Sequence, residues 1–576
     1  MIWLMATVAS DARGLNLLDY VVVAGYLASM LFMGYYFSRG QSTSEEYFVG
    51  RRRMPAPIVG LSLVATLLST ITYLAAPGDM IQHGLVFATQ ILSVPLWLTV
   101  VALVFVPFFM RYRLTSIYEY AAMRFGSSTR LAAAALFVSM RFGWMGMVIY
   151  TCSDAVALMT GNLPEALIGR PLEPSELQTW LYVVMTSLGL VATIYTFLGG
   201  IRVVIWTDAV QFLVMMGGAL FAVVYVWVQT GDGPIAWWQH APATPADRSF
   251  WFTFDLRVER TAFLVVLNAF FWRLCTHCSD QVTTQRYFST DGSKSAVRSN
   301  LYGAAGDFCL TGTLALVGLA LVAFFHGQFD PQSATEAKQA FPTFIINYLP
   351  HGLAGLLMAA LFAAAMSSVD SGINSLSAVV TTDFYHALKL GPEGSRAEFR
   401  IARTVTLVAG VAITLVAYFI AWAIAVDERN KNIIDLSVRV FNLFLGPLGA
   451  IFLVGMFLPW VGRVAMNVAI ATGMASAIGL GYAREWGALV ARPLGAMANA
   501  AGDWDPPAAT LREWSAAMSD VAGPSALLVT PLATLITCAT AALLGAFLPA
   551  PAPEQVVGHT WWSRHRLREP VERPPD

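Results

Sequence analysis

The stretch GLSLVATLLSTITYLAAPG, from Gly60 to Gly78, decides the fold of this chain. It is apolar enough to cross a membrane, yet hydroxyl residues crowd its middle and a proline lies near its end. Unwound backbone is tolerated in hydrocarbon only where protein surrounds it, and it often marks an ion or substrate site. The alternative is ordinary hydroxyls bonding back to their own helix. The residues concerned are Ser62, Thr66, Ser69, Thr70, Thr72 and Pro77.

A second polar interruption reads FWRLCTHCSDQ, from Phe271 to Gln281, five predicted spans later. Two interrupted spans at equivalent positions suggest two inverted repeats of five helices. Cys275, His277 and Cys278 also suggest a metal site, although three candidate ligands do not complete a tetrahedral set.

The segment AAAMSSVDSGINS, from Ala363 to Ser375, carries small and hydroxyl-bearing residues on one face of an otherwise apolar helix. Small residues favour close helix packing, which is the structural alternative to a binding site. Asp370 favours a site, because a carboxylate within a span costs about 2.5–3.5 kcal/mol and is a functional hypothesis by default. A second acid, Asp208, is either functional or a hydrated residue at the interface. The shared face comprises Ala364, Ser367, Ser368, Ser371 and Ser375.

The composition agrees with a membrane protein. Of 576 residues, 57% are hydrophobic and 12% charged, against about 25% charged in soluble domains. The formal net charge of −1 excludes nucleic acid as a partner, because no basic surface is available. We predict thirteen spans, near residues 17–37, 55–76, 86–110, 131–159, 180–199, 203–229, 261–280, 302–325, 353–384, 402–425, 438–458, 464–482 and 523–548.

The loops predict the orientation and the domain organisation. Most Lys and Arg residues fall on one side if the N-terminus is outside and the C-terminus cytoplasmic, in a cell (inner) membrane. We expect an extracellular N-terminal end and the first transmembrane helix over residues 1–37, followed by an inverted-repeat transport core over 38–458. Additional C-terminal helices would cover 459–548, with an extracellular loop at 483–522. Residues 549–576 are predicted to be a disordered cytoplasmic tail.

With these residues in view, the chain resembles the sodium:solute symporter family of sugar, proline, sialic acid, iodide, monocarboxylate and vitamin carriers. The resemblance implies an all-α membrane protein with a leucine-transporter-type 5+5 inverted repeat, one extra N-terminal helix and two extra C-terminal helices. It implies sodium, a small solute and the bilayer as partners; no obligate protein partner is evident. The motifs that carry it are EEYFVGRRRM, LTSIYEYAAMRFG, YTFLGGIRVVIWTDAVQ, SDQVTTQRYFS and AAAMSSVDSGINS.

The resemblance also implies ion sites. One Na⁺ would bind the main-chain oxygens of Ala65, Leu68 and Ala364 and the hydroxyls of Ser367 and Ser368. Neutral oxygens suit a hard monovalent cation. Relatives with a second sodium use positions that map onto Asp208, Asp370 and Ser371; here either a second cation binds or one acid is protonated.

The resemblance places the solute at the middle of the second and seventh spans. Arg273 and Thr276 replace a sugar contact and an aromatic gate of sugar-transporting relatives, which favours an anion held by a guanidinium fork. Arg141 and Arg439 would suit the same role, although Arg141 would also suit pairing with an unseen acid or reaching the interface. The candidate solute contacts are Ser69, Thr72, Gln90, Arg141, Arg273, Thr276 and Asn442.

These features predict sodium-coupled import of a small polar solute by alternating access. They favour an anionic solute such as a monocarboxylate or an acidic sugar. The alternative is a neutral sugar or polyol, or else a transporter-like sensor. A channel would need a continuous polar pore, and an enzyme would need a nucleophile with a base, or a metal. Ser367 and Ser368 have no His nearby in sequence, although His277 could approach them in space. We expect no enzymatic activity.

Overall fold

The computed structural model describes residues 14–38, 43–240, 261–325, 334–386, 396–426, 433–483 and 525–566. Over these ranges ten helices are long and apolar enough to cross a membrane, and two shorter apolar helices accompany them. The polytopic α-helical prediction is confirmed, whereas the count of thirteen spans remains a prediction.

The longer helices follow one another along the chain, and short helical segments connect several of them. The spanning and other long helices are Leu17–Ser38, Ala56–Leu67, Thr70–His83, Ser127–Met159, Pro174–Thr230, Ala262–Ser279, Ser293–Phe324, Ala334–Asn347, Leu353–Val379, Arg396–Val426, Ile433–Phe457, Arg463–Gly481 and Val529–Gly545. The third span is built from Val94–Val100, a π-helical turn at Val101–Phe105, and Val106–Phe109. Shorter helices are Ser44–Val49, Tyr118–Phe125, Asn162–Ile168, Pro234–His240, Gln281–Phe288 and Pro553–Val556.

The second span is broken where its hydroxyls cluster. One helix ends at Leu67 and the next begins at Thr70. Between them Leu68 (φ −102°, ψ 103°) and Ser69 (φ −91°, ψ 170°) are extended. The predicted interruption is therefore confirmed, and it frees the local carbonyls from the helical hydrogen-bond pattern.

The seventh span is also interrupted, at Asp280 (φ −84°, ψ 117°), between the helices Ala262–Ser279 and Gln281–Phe288. The Asp280 carboxylate accepts a hydrogen bond of 3.1 Å from the backbone N–H of Val282, so it caps the second of these helices. The break thus falls at the end of the polar FWRLCTHCSDQ stretch, and most of that stretch is helical.

The predicted fifth and sixth spans meet at Gly200, inside the 57-residue element Pro174–Thr230. Its backbone has φ 53° and ψ −156°, a conformation that favours glycine. A Cβ at Gly200 would also lie 2.5 Å from the carbonyl oxygen of Tyr47. The glycine therefore permits both the change of direction and the close approach of Tyr47.

The helix Leu353–Val379 carries the AAAMSSVDSGINS segment through the interior. From Leu357 onward every residue of this helix is buried. A Cβ at Gly372 would lie 1.9 Å from Met145 Sδ, so small residues are needed on that face for close packing. The packing interpretation of this segment therefore holds at Gly372, while its serines line another contact, described below.

The first span holds the start of this central helix. Asp19 Oδ1 accepts hydrogen bonds from the backbone N–H groups of Gly352 (2.6 Å) and Gly355 (2.9 Å), and Asp19 Oδ2 lies 3.2 Å from His351 Nδ1. A carboxylate at a helix N-terminus is stabilising, because it faces unpaired N–H groups and the positive end of the dipole. The extra N-terminal helix thus fixes the helix that carries the candidate site.

The expectation of a disordered tail from residue 549 is wrong for residues 549–566. His559 O accepts a 2.8 Å hydrogen bond from Tyr120, and Gly558 O accepts one of 3.0 Å from Tyr112. Backbone N–H of Trp561 donates to Met456 O at 2.8 Å. Packing of the Trp561 ring against Phe108 and Phe457, together with these bonds, offsets the cost of ordering a proline-rich segment. The loop expected at 483–522 lies outside the described residues, except for residue 483.

Candidate functional site

Three of the five residues proposed to bind sodium, Ala65, Ala364 and Ser367, meet at the break in the second span. Ser367 Oγ donates to Ala65 O at 2.8 Å and lies 3.3 Å from Ala364 O. Ser368 Oγ donates to Thr66 O at 3.2 Å. The break therefore faces the hydroxyl face of the central helix, and this pairing places main-chain and hydroxyl oxygens side by side.

These oxygens are shielded from solvent. Ala65, Ala364 and Ser367 are fully buried, and Ser368 is 1% exposed. Leu68, the fifth expected ligand, supplies the extended backbone at the break. Uncharged buried oxygens of this kind have the chemistry of a site for a hard monovalent cation.

Arg286 lies at the centre of a second buried polar cluster. Its Nη2 donates to Asp208 Oδ2 (2.7 Å), Thr66 Oγ1 (2.6 Å) and Ser371 Oγ (2.5 Å). Its Nε donates to Ser62 Oγ at 2.7 Å. The guanidinium thus contacts two of the three residues expected to hold a second cation.

Arg286 is not among the predicted site residues, because it follows the predicted seventh span (261–280) and the positive-inside rule places such a basic residue in a cytoplasmic loop. The sequence feature that could have identified Arg286 is its position in the motif SDQVTTQRYFS, six residues after the break at Asp280. Asp208 is fully buried, so the alternative of a hydrated interfacial acid is wrong. Its Oδ1 has no hydrogen-bond partner among the described residues.

Asp370 joins this cluster through Ser371. Tyr195 donates its hydroxyl to Asp370 Oδ2 at 2.6 Å, and the backbone N–H of Ser371 donates to Oδ1 at 2.5 Å. Ser371 Oγ lies 3.2 Å from Asp370 Oδ1 and 3.4 Å from Asp208 Oδ2. The structure therefore brings Asp208, Asp370 and Ser371 together, with one guanidinium beside two carboxylates.

Arg141 forms a buried ion pair with Asp280, the residue at the seventh-span break. Its guanidinium carbon also lies 5.5 Å from the ring centroid of Phe441 and 5.8 Å from that of Phe137. Arg141 Nε has no partner among the described residues. The interpretation that Arg141 pairs with an unseen acid is therefore confirmed, and that acid lies at the break.

Arg273 is held by a different carboxylate. Its Nη2 lies 2.8 Å from both oxygens of Asp307, and its guanidinium carbon lies 5.6 Å from the ring centroid of Trp97 and 5.2 Å from that of Trp272. Thr276 donates to Trp272 O of its own helix at 2.7 Å. Arg273 is thus already paired with a carboxylate, the group that an anionic solute would provide.

The remaining candidate solute contacts are spread around the breaks. Ser69 and Asn442 are buried, and Ser69 Oγ and Asn442 Nδ2 lack a hydrogen-bond partner among the described residues. Thr72 and Gln90 are half-buried. The side chain of Arg439 lies outside the described residues. Unpartnered buried polar atoms are costly unless a ligand or water completes them, which is consistent with a polar solute.

The side chains considered for a metal have separate partners. His277 Nδ1 bonds the Tyr287 hydroxyl, and its ring stacks on Trp97 at 4.8 Å. Cys275 Sγ lies 3.5 Å from Thr534 Oγ1, and Cys278 Sγ lies 3.4 Å from Cys275 O. In the described part of the chain no group of three or more His, Cys, Asp or Glu residues is placed to hold a metal ion.

The discontinuous spans and the buried oxygens define a helical membrane carrier. The chain belongs to the sodium:solute symporter family, whose family model matches residues 47–475. The sodium/sialic acid symporter SiaT of Proteus mirabilis is 29% identical over 475 residues, which cover 81% of this chain and 90% of that protein. The human sodium-coupled monocarboxylate transporter 1 is 28% identical over 481 residues, covering 81% and 73%.

The fold matches a solved structure, described as the substrate-bound outward-open state of a Na⁺-coupled sialic acid symporter. The TM-score is 0.73 at 24% identity, and the match covers 93% of this chain and 99% of that one. The predicted inverted-repeat fold of the leucine-transporter type is therefore confirmed.

Proposed function

We propose that this protein is a sodium-coupled symporter that imports a small organic anion by alternating access. The observation that carries the proposal is the meeting of Ser367 with the carbonyls of Ala65 and Ala364 at the broken second span. Two of the similar proteins are symporters of sialic acid and of monocarboxylates, both carboxylate anions. We infer a multi-pass protein of the cell (inner) membrane with a cytoplasmic C-terminus and no enzymatic activity.

The ion would act by joining two separate helices. A Na⁺ bound by Ala65, Leu68, Ala364, Ser367 and Ser368 would replace their mutual hydrogen bonds with ion contacts. It would thereby hold the broken span against the central helix and preorganise the solute cavity beside the break. Coupling of this kind is a reciprocal binding free energy, so solute would raise sodium affinity by the same factor.

The second polar cluster would take up one further positive charge, at Asp370. With both acids ionised, Asp208, Asp370 and Arg286 together carry a formal charge of −1, because one guanidinium faces two carboxylates. Burying an uncompensated charge is costly, so a proton or a second sodium at Asp370 would neutralise the cluster.

The extra charge matters for an anionic solute. One Na⁺ and one monovalent anion move no net charge, so a tenfold sodium gradient contributes about 1.4 kcal/mol and sustains about tenfold accumulation. One further charge moving through 100 mV adds about 2.3 kcal/mol. The total then supports accumulation of several hundredfold. We therefore propose that uptake of the anion is electrogenic.

The anion would bind at Arg141, next to the break in the seventh span. In this structure Asp280 supplies the carboxylate that pairs with Arg141. A solute carboxylate would take its place and use the guanidinium fork. Arg273 would have a structural role through Asp307, because its Nη2 already pairs with both oxygens of that carboxylate.

A neutral sugar or polyol is the second candidate. The observation that favours it is that Arg141 and Arg273 are both paired with acids of the chain. A cavity with internally neutralised arginines would reject an extra charge and accept hydroxyls instead.

Proteoliposomes containing the full chain would test the proposal with labelled sialic acid, lactate and mannitol. We expect uptake of one of the two anions to require an inward Na⁺ gradient and to show counterflow of labelled solute. Transport of mannitol alone would favour the second candidate. Absence of counterflow for all three, with folded protein, would contradict these anion and polyol assignments and would fit a sensor or an enzyme.

A further inference from the structure

A groove of about 850 Å³ lies on the outside of the helix bundle, between the start of the helix Ser127–Met159 and the helix Arg463–Gly481. The groove is outside the candidate transport site, because none of its lining residues belongs to the broken second span or to the central helix. One wall of the groove is apolar and includes the exposed residues Val464 and Val468. Its polar end contains Ser128, Asn467 and Arg463.

The polar end is organised by hydrogen bonds. Asn467 Nδ2 donates to Ser128 Oγ at 3.1 Å, and Asn467 Oδ1 accepts from Thr129 at 2.8 Å. These bonds join the first turns of the two helices. Ser128 is exposed, so its hydroxyl is accessible to a ligand at the groove's end.

Arg463 supplies the charge of this end. It is exposed, and no carboxylate of the described residues lies within ion-pair distance of it. Its Cδ lies 3.7 Å from the position of a Cβ at Gly126, so its stem rests on the turn before Ser127–Met159. The helix Arg463–Gly481 contains no Asp or Glu, so Arg463 is its sole charge.

The length of the groove fits one leaflet. The apolar wall continues through Ala471 to Ala475. Twelve residues of helix rise about 18 Å from Arg463 to Ala475, close to half of a hydrocarbon core of about 30 Å. A cation at one end and an apolar channel of leaflet depth match the two parts of a phospholipid.

We propose that this groove is a binding site for one anionic phospholipid, with its phosphate at Arg463 and Ser128 and an acyl chain along Val464, Val468, Ala471 and Ala475. The predicted orientation places the site in the cytoplasmic leaflet. A second copy of the chain is the less favourable occupant. A two-fold contact through this face, with its axis along the membrane normal, would bring two Arg463 side chains to the same depth.

Native mass spectrometry of the full-length protein would test the site, using phosphatidylglycerol and phosphatidylcholine with identical acyl chains. Arg463→Gln is expected to weaken retention of phosphatidylglycerol about fivefold, the effect of one interfacial cation. Retention of phosphatidylcholine should change little. Arg298→Gln is the matched control, because Arg298 is also an exposed arginine in the first turns of a spanning helix.

Ala471→Phe would fill the apolar part of the groove. It is expected to weaken both lipids while keeping their ratio, and its exposed position should leave the melting temperature unchanged. Equal loss of phosphatidylglycerol in Arg463→Gln and Arg298→Gln would overturn the proposal. So would unchanged lipid retention combined with loss of a dimer in Ala471→Phe, which would assign the groove to a second copy.

Discussion

Arg286 Nη2 lies 2.7 Å from Asp208 Oδ2, and both side chains are fully buried. The chain thus places its own cation beside one of the two acids that the family resemblance maps onto a possible second sodium site. This ion pair joins the helix Gln281–Phe288 to the helix Pro174–Thr230. Arg286 and Asp208 also form hydrogen bonds with Ser62 and Thr66, which fixes these two residues of the broken second span.

The Arg286–Asp208 pair is expected to be strongly coupled in stability. Arg286→Met or Asp208→Asn alone should lower the free energy of unfolding by about 3–5 kcal/mol, because each leaves buried groups uncompensated. The double variant should lose less than the sum of the single losses. Denaturant unfolding of the four proteins in detergent would measure this coupling.

The exposed ion pair Arg170–Glu176 is the control for this comparison of single and double variants. Its side chains are 47% and 31% exposed, so Arg170→Gln should change stability by about 0–1 kcal/mol. Simple additivity in the buried pair would argue against the role assigned to Arg286.

Removal of one proposed sodium ligand is expected to weaken sodium binding without loss of the fold. Ser368→Ala should raise the Na⁺ concentration for half-maximal uptake by about tenfold or more, equivalent to about 1.4 kcal/mol. Ser377→Ala is the matched control on the same helix, because Ser377 is buried and donates to Ala402 O at 2.6 Å. Equal sodium dependence in both variants would remove the proposed ligand set.

The sequence predicted the features that depend on local pattern. Hydroxyls and a proline in an apolar span predicted an interruption of the second span, which the structure locates at Leu68 and Ser69. Helical spacing predicted the shared face of Ser367 and Ser368. Both follow from short-range rules of helix geometry and backbone hydrogen bonding. The family resemblance then indicated which carbonyls face that helix.

The partners of the buried arginines were not predictable in the same way. Arg141 pairs with a residue 139 positions away, and Arg286 with one 78 positions away. Tertiary packing selects among many acids at such separations. The positive-inside rule also placed Arg286 in a solvated loop, because the rule treats a basic residue near the end of a span as solvated.

The anion proposal predicts opposite effects of two variants that break the same ion pair. Asp280→Asn should lower the KM for the transported anion, because it removes the carboxylate that competes for Arg141. Asparagine also keeps the ability to cap the helix Gln281–Phe288. Arg141→Gln should abolish anion uptake. A purely structural ion pair would make both variants worse, and concentration-dependent uptake in proteoliposomes would distinguish these outcomes.

Residues 553–566 form a C-terminal strap whose docking should depend on pH. His559 Nδ1 lies 3.3 Å from the Tyr112 hydroxyl, and the two rings stack at 5.8 Å. Burial, assisted by Arg124 and Arg111, lowers the pKa of His559 from 6.5 to about 4. A released strap would bind a proton near pH 6.5, so docking is fully stable above that pH and weakens as the pH falls toward 4.

Hydrogen exchange of the peptide 553–566, corrected for the intrinsic pH dependence of exchange, would measure this release. Protection in the wild-type chain should fall between pH 6.5 and pH 4, because a protonated His559 would face the positive charges of Arg111 and Arg124. His559→Phe keeps an aromatic ring against Tyr112 but cannot titrate, so its protection should be far less dependent on pH. If both proteins lost protection in parallel, another group would control the strap, and the assignment to His559 would be wrong.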